Sequence, residues 1–453
     1  MRLSNRSLIL SLRYPDVLEM WCYHAIRYGQ GRTNGAKTMA LRRSAVDLFA
    51  GCGGVSLGLT QAGWDVLAAC DNDPVAAATY RANHPDTDLI EGDIQDPGTV
   101  DRIVASVDGR RVDLVMICAP CQPFSSRNND RGDDPRELLI LKALSVVERL
   151  SPETVMFENV LGLKSKQFAP VLDALRLELL RLGYMFSDVA VHDAADFGVP
   201  QSRRRVIMLA ARHQATLDVL EMHRFAEEHR TVKDAISDLF PLESGEKDPT
   251  DPLHAARTHR SVALERLRHI PQDGGSRASL PSHLWVECHR RASDSFPDSY
   301  GRLYWDRPAP TLTTGCTDIT RGRYAHPNQD RAITLREAAR LQTFPDSYLF
   351  HGNGGDIARQ IGNAVPPTMV KLLADVLSVA LQVVTDTMSG VPKAPSGRDL
   401  LGIVWRVGLK NAAPPMRPSD FRKRPLVVAG VRWSRRTHME RVRPRDPPIL
   451  VAV

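Results

Sequence analysis

The chain has 453 residues, 43% of them hydrophobic and 25% charged; that composition is globular and excludes a fibrous or wholly disordered protein, while the length predicts two folded parts plus tails. The formal charge of +6 is concentrated at one end: residues 391–453 hold 14 Lys and Arg against 4 Asp and Glu, so the folded body is net acidic and must meet any nucleic acid through local arginine clusters, with the tail adding nonspecific attraction to phosphate. Seven cysteines without regular spacing argue against a disulfide framework and predict a reducing, cytoplasmic compartment, and the apolar run 8–12 is broken at Arg13 and Pro15, too short for an export signal or a membrane span.

In chain order, residues 1–43 show no sustained periodicity and are read as an extension that is either disordered or placed upstream of a true start near Met39. From 44 to 212, apolar strand-like runs at 45–49, 65–70, 114–118, 154–157 and 205–210 alternate with amphipathic stretches, of which 55–62, 138–150 and 171–182 recur at helical spacing. That alternation predicts a doubly wound, Rossmann-like α/β domain. Residues 213–325 are rich in Pro, Asp, His and Arg with short apolar pieces, which predicts a second, smaller and irregular domain. Residues 326–388 return to the first domain with a helix capped by Thr334 and Glu337 and another from 367 to about 384. Residues 389–453 form a basic Pro/Arg-rich tail.

Several positions carry chemistry. The first strand runs into Phe49-Ala50-Gly51-Cys52-Gly53-Gly54, a strand-to-helix turn where glycine lets the backbone approach a ligand, although a merely tight turn reads the same way. Ser56 stands where a dinucleotide fingerprint needs its third glycine. Asp71 and the Asp93-Ile94 pair follow the second and third strands, where carboxylates suit ribose hydroxyls and an adenine amine or simply cap a helix. The fourth strand ends at Cys118-Ala119-Pro120-Cys121-Gln122-Pro123-Phe124-Ser125 and releases a thiol into a polar loop, and cysteine is the side chain able to add reversibly to a ring carbon at neutral pH. Cys118 and Cys121 also spell C-x-x-C, yet no helix follows to stabilise a redox thiolate and Cys52, Cys70, Cys288 and Cys316 offer no second zinc pair, so no metal is expected. Glu158 ends a further strand, as a catalytic or a buried structural acid. In Gln201-Ser202-Arg203-Arg204-Arg205, strand alternation sends Arg203 and Arg205 to one side and Arg204 to the other. The segments 307–314, 334–345 and 360–367 carry little chemistry alone.

Taken in order, these motifs resemble those of DNA cytosine C5-methyltransferases of the bacterial restriction-modification type, from about Val46 to the helix after Pro367, with 213–325 in place of that family's target-recognition domain. The resemblance implies S-adenosylmethionine as cofactor and S-adenosylhomocysteine as its product. It places Phe49 near the adenine, Gly51 and Gly53 beside the methionine part, Asp71 on the ribose, Asp93 and Ile94 near the base, and Asn363 and Val365 closing the pocket. It makes Cys121 the nucleophile, Glu158 the group that protonates the ring nitrogen and Arg203 and Arg205 active-site arginines, with Gln122 and Ser125 along the DNA. Asp71 stands where many members have Glu, and the tail lies outside the shared core.

The implied partner is double-stranded DNA, bound by a monomer in the cytoplasm and hence associated with the nucleoid, with a paired restriction endonuclease or, for an orphan enzyme, none. No membrane is involved. A transfer-RNA cytosine methyltransferase, an inactive DNA-binding relative and a nicotinamide-dependent oxidoreductase are the competing readings.

Overall fold

A computed structural model describes residues 42–120, 138–222, 228–287, 290 and 297–388. Its first strands are β1 (Ser44–Leu48), β2 (Asp65–Asp71), β3 (Asp88–Glu91), β4 (Leu114–Ile117) and β5 (Thr154–Asn159), followed by β6 (Met185–Phe186), β7 (Ala190–Asp193) and β8 (Arg204–Ala211). They form one sheet in the order β3-β2-β1-β4-β5-β8-β6, with β7 also on β8. The five strands from β3 to β5 are parallel, and the order reverses between β1 and β4, where a doubly wound sheet opens a crevice at its carboxyl edge.

One strand departs from a purely parallel sheet. β8 runs antiparallel to β5, pairing Glu158 with Ile207 and Asn159 with Val206. This pairing carries β5 two residues past the expected stop at 157, so Glu158 and Asn159 sit within a ladder. It also puts the start of β8, with Arg204 and Arg205, at the carboxyl edge of β5.

Among the described residues the helices are α1 (Gly54–Gln61), α2 (Pro74–Asn83), α3 (Pro97–Val107), α4 (Leu139–Lys142), α5 (Leu144–Leu150), α6 (Ala169–Arg181) and α7 (Gln214–Met222), then α8 (Val232–Ile236), α9 (Ser261–His269), α10 (Leu335–Leu341), α11 (Gly354–Asn363) and α12 (Pro367–Met388), and α1 to α7 with α12 cover the sheet faces. The expected single helix over 138–150 is divided at Ala143, because Val146 N bonds back three residues to the Ala143 carbonyl and tightens the turn. Strand alternation sorts the core. Val46 and Leu48 of β1 join Ile103, Val147 and Leu175 on one side, while Ala45 joins Val55, Leu59, Leu217, Met369, Leu373 and Leu377 on the other. The segment Gly354–Asp386, which joins α11 and α12, has the length and apolar composition of a membrane span, but this inward stripe is what the apolar residues of α12 serve, each buried side chain contributing about 1.5–3 kcal/mol.

Leu217 packs in the same core as α12, so the chain leaves the sheet layers after α7 rather than at Arg212. Beyond it, Val232, Ile236, Leu303, Leu312 and Ile333 share a core with Leu341, Phe344, Ile357 and Ile361 of the returning segment. A smaller cluster of Leu267, Ile270, Leu280, Tyr300 and Ile319 lies apart from it. The irregular region therefore has two cores, one continuous with α10 and α11. The capping box expected at α10 is present: Thr334 Oγ1 accepts from Glu337 N, and the Glu337 carboxylate accepts from Thr334 N.

Candidate active site

β1 delivers the chain into a turn with three positive φ angles, 61° at Phe49, 53° at Gly51 and 91° at Gly53. A bulky aromatic in the left-handed region is strained, and such strain persists only where the surroundings enforce it. The enforcing bonds are Gly53 N to the Ala50 carbonyl (2.9 Å), Ala50 N to the Cys70 carbonyl (3.0 Å) and Gly51 N to Asp71 Oδ2 (2.7 Å).

The glycines then divide by role. A Cβ on Gly51 would have nothing within 4 Å, whereas one on Gly53 would fall 2.6 Å from His84 Nε2 and 2.7 Å from Tyr348 Oη, and one on Gly54 would fall 2.7 Å from the Val365 carbonyl. Gly51 thus borders open space, while Gly53 and Gly54 let neighbouring elements close behind the turn. Asp71 holds that turn from the next strand, its second oxygen accepting from Asp73 N at 2.8 Å. Burial pushes its carboxyl above the usual range despite these bonds.

Neither Asp71 nor Asp93 is a helix cap; the N-caps of α2 and α3 are Asp73 and Asp96. Asp93 is exposed and accepts from Gln95 N (2.9 Å), while Ile94 is buried. α11 ends at the exposed Asn363, and Val365 packs beneath α1. The structure thus brings Phe49, Gly51, Asp71 and the 363–365 turn to one end of the sheet, although the last is some 300 residues away in sequence.

Beneath the turn, Asp47 is fully buried; its Oδ2 accepts from Ser56 Oγ at 2.7 Å, and Ser56 Oγ lies 2.7 Å from Tyr80 Oη. Asp47 Oδ1 has no hydrogen-bond partner. Burial first, with the nearby Asp71 charge adding and the Ser56 bond opposing, pushes its carboxyl to about 7.

On the other side of the switch point, Glu158 is 5% exposed and its Oε1 lies 3.0 Å from Arg205 Nε. Burial raises its pKa, and the Arg205 and Arg203 charges offset only part of that. Asn159 faces the opposite side of β5 and donates from Nδ2 to the Ala119 carbonyl at 3.2 Å, tying β5 to the chain just ahead of Pro120. Cys121, Gln122 and Ser125 lie outside the described residues. Arg203 and Arg205 are both buried and Arg204 is exposed, the alternation the sequence predicts. Arg203, however, spends Nη1 on the Leu312 carbonyl (3.0 Å) and Nη2 on the Gly362 carbonyl (2.9 Å). Cys118 is half-buried against the α1 and α12 core.

Asn159, Gln201 and Gln342 had no role in the sequence reading, yet all three are buried and hold backbone near the site. The available signal was an uncharged amide inside an apolar run, as in Val199-Pro200-Gln201 or Leu341-Gln342.

The profile of the family described as C-5 cytosine-specific DNA methylase matches residues 44–378, from β1 into α12. The chain belongs to this family. It is a DNA (cytosine-5-)-methyltransferase. The Type II methylase M.HgiDII of Herpetosiphon aurantiacus is 36% identical over 73% of this chain and 94% of its own. The Type II methyltransferases M1.BsuMI of Bacillus subtilis, at 34% over 72% and 78%, and M.AgeI of Thalassovita gelatinovora, at 31% over 74% and 99%, are also similar. Among solved structures, a protein assigned as a prophage-encoded DNA modification methyltransferase from Escherichia coli covers 75% of this chain and 99% of its own with a TM-score of 0.59 at 24% identity. That last likeness bears on the fold, which it supports as a Rossmann-like methyltransferase domain.

Proposed function

We propose that this methyltransferase modifies C5 of a cytosine flipped out of a specific duplex DNA sequence, acting as a cytoplasmic, nucleoid-associated monomer and as the modification partner of a restriction endonuclease or as an orphan. The observation that carries the reading is the Glu158 carboxyl, buried so that its pKa is raised, yet held by Arg205 at the carboxyl edge beside the strand that leads into Cys121. Such a group suits donation to a ring nitrogen in the transition state.

The residues fit S-adenosylmethionine. Gly51 borders a space that a side chain would fill, and the Asp71 carboxylate, next to it, retains lone pairs for ribose hydroxyls after accepting two backbone N–H groups. In this reading Phe49 flanks the adenine, Gly51 and the backbone of Gly53 the methionine part, and Asp93, Ile94, Asn363 and Val365 complete the pocket. When bound, the cofactor supplies an electrophilic methyl group.

Every other step belongs to the chain and the base. Unpairing the cytosine costs a few kcal/mol and brings its ring between Cys121 and Glu158. The Cys121 thiolate adds to C6 as Glu158 gives its proton to N3, so that C5 becomes nucleophilic and takes the methyl. Loss of the C5 proton to water re-forms the C5–C6 double bond as the C6–S bond breaks and its electron pair returns to Cys121 as thiolate, and N3 returns its proton to Glu158. Arg205 holds the Glu158 carboxyl in place throughout, while Gln122 and Ser125 lie along the DNA. The two-core region between 228 and 333 supports a DNA substrate, because target reading needs a surface of its own.

The test is sequencing of 5-methylcytosine in DNA from cells expressing the chain, which reports activity and recognition site together. Methyl label confined to transfer RNA would overturn the DNA reading. DNA with 5-fluorocytosine at the site identified, incubated with cofactor, should become covalently attached to the wild type and not to Cys121→Ser, which should retain DNA and cofactor binding; failure to trap the wild type would remove the mechanism.

A further inference from the structure

Three buried polar side chains, two from the entry into β8 and one from about 140 residues further on, meet between the cofactor end and the catalytic end. Gln201 and Gln342 are fully buried and joined amide to amide. Gln201 Oε1 accepts from Leu312 N at 2.9 Å, and its Nε2 reaches the Leu341 carbonyl at 3.4 Å. Gln342 Nε2 donates to the Ile361 carbonyl at 3.0 Å and to the Ala364 carbonyl at 2.6 Å. Arg203 takes the carbonyl between them, that of Gly362, with one arm and that of Leu312 with the other.

Three carbonyls around Asn363 are therefore fixed by two side chains. Gly362 lies close against the 313 backbone, since a Cβ there would fall 2.4 Å from the Thr313 carbonyl carbon. At the other end of the network, Arg203 is two residues from Arg205, which grips Glu158. A partly satisfied network of buried polar groups is costly, so movement of the 361–365 turn strains the entry into β8 and the reverse.

We propose that Gln201, Arg203 and Gln342 are positioning residues that couple occupancy of the cofactor pocket to the placement of the Glu158–Arg205 pair. Arg203, on this account, acts through backbone rather than on substrate. The proposal rests on the reading that places the cofactor against Asn363 and Val365.

The test is a double-mutant cycle read by calorimetric binding of S-adenosylhomocysteine to the full chain without DNA. Arg205→Ala should weaken binding about five-fold or more in the wild-type background, a typical coupling between sites, and leave it nearly unchanged in a Gln342→Leu background. Equal shifts in both backgrounds, or no shift in wild type, would overturn the coupling while leaving the pocket reading intact. A wild type that does not bind S-adenosylhomocysteine would overturn the pocket reading and the coupling with it. Should Gln342→Leu fail to fold, Arg203→Lys, which keeps the charge but cannot reach two carbonyls, takes its place with the same two outcomes. A role confined to stability would lower both affinities additively.

Discussion

Arg205 Nε lies 3.0 Å from Glu158 Oε1, with both side chains nearly excluded from solvent. The pair holds a carboxyl in place without fully reversing the effect of burial on its pKa. An acid that must carry a proton to act loses activity as pH rises through its pKa. Removing the Arg205 cation takes away the largest influence that lowers that pKa, so Arg205→Ala should move the alkaline limb of single-turnover methylation to higher pH while lowering the plateau. Glu158→Gln should lose about 10²–10⁴-fold in the same assay, the usual worth of a general acid, with S-adenosylhomocysteine binding retained. An alkaline limb that moves to lower pH in Arg205→Ala would contradict the assignment.

Gly51→Ala separates the pocket from the fold. At a φ of 53° with nothing within 4 Å of the new Cβ, alanine should cost only about 1–2 kcal/mol of stability from the left-handed backbone. The methyl group would, however, occupy space assigned to the cofactor, and overpacking of about 1–3 kcal/mol should weaken S-adenosylhomocysteine binding about ten-fold. Unchanged affinity, measured by calorimetry beside a thermal melt, would mean that Gly51 faces solvent alone.

Much of this arrangement was legible in the sequence, because it depends on local pattern. Strand-ending residues such as Asp71 and Glu158 follow apolar runs, and the Thr334–Glu337 cap is a four-residue signature. The antiparallel sense of β8 was not legible, since an apolar run carries no direction; it is set by β5 and β8 pairing Glu158 with Ile207. Nor was the use made of Arg203. Alternation gives its side of the strand, but its partners are the carbonyls of Leu312 and Gly362, more than 100 residues on. Backbone acceptors leave no trace in side-chain identity, and the same is true of the amides of Gln201 and Gln342.

The irregular region is anchored by a buried ion pair. Arg331 and Glu337 are essentially inaccessible and joined by two bonds of 2.8 and 2.7 Å. Burial alone would raise the Glu337 carboxyl, but the Arg331 bonds and charge prevail and hold it down to about 2. A depressed carboxyl stabilises the fold above its ordinary value near 4.5 and loses that contribution as pH falls toward 2. Arg331→Met, which takes away the carboxylate's charged partner and leaves it the Thr334 N–H, should cost about 3–5 kcal/mol at neutral pH and visibly less at pH 4, by chemical denaturation. A cost independent of pH would show that packing, not charge, sets the effect.

Asp47 gives the opposite sign. Its folded-state value near 7 lies above the ordinary 3.8, so the folded protein holds a proton that the unfolded chain releases. Its contribution is therefore most favourable below pH 4 and erodes as pH rises to 7, by an amount on the order of a few kcal/mol. Asp47→Asn cannot ionise but still presents an oxygen to Ser56 Oγ. The difference in melting temperature, variant minus wild type, should thus grow between pH 5 and pH 7 and level off above it, whatever its absolute value. Parallel melting curves across that range would mean that Asp47 keeps its charge in the fold, in which case a partner for Oδ1 must be sought in the pocket above it.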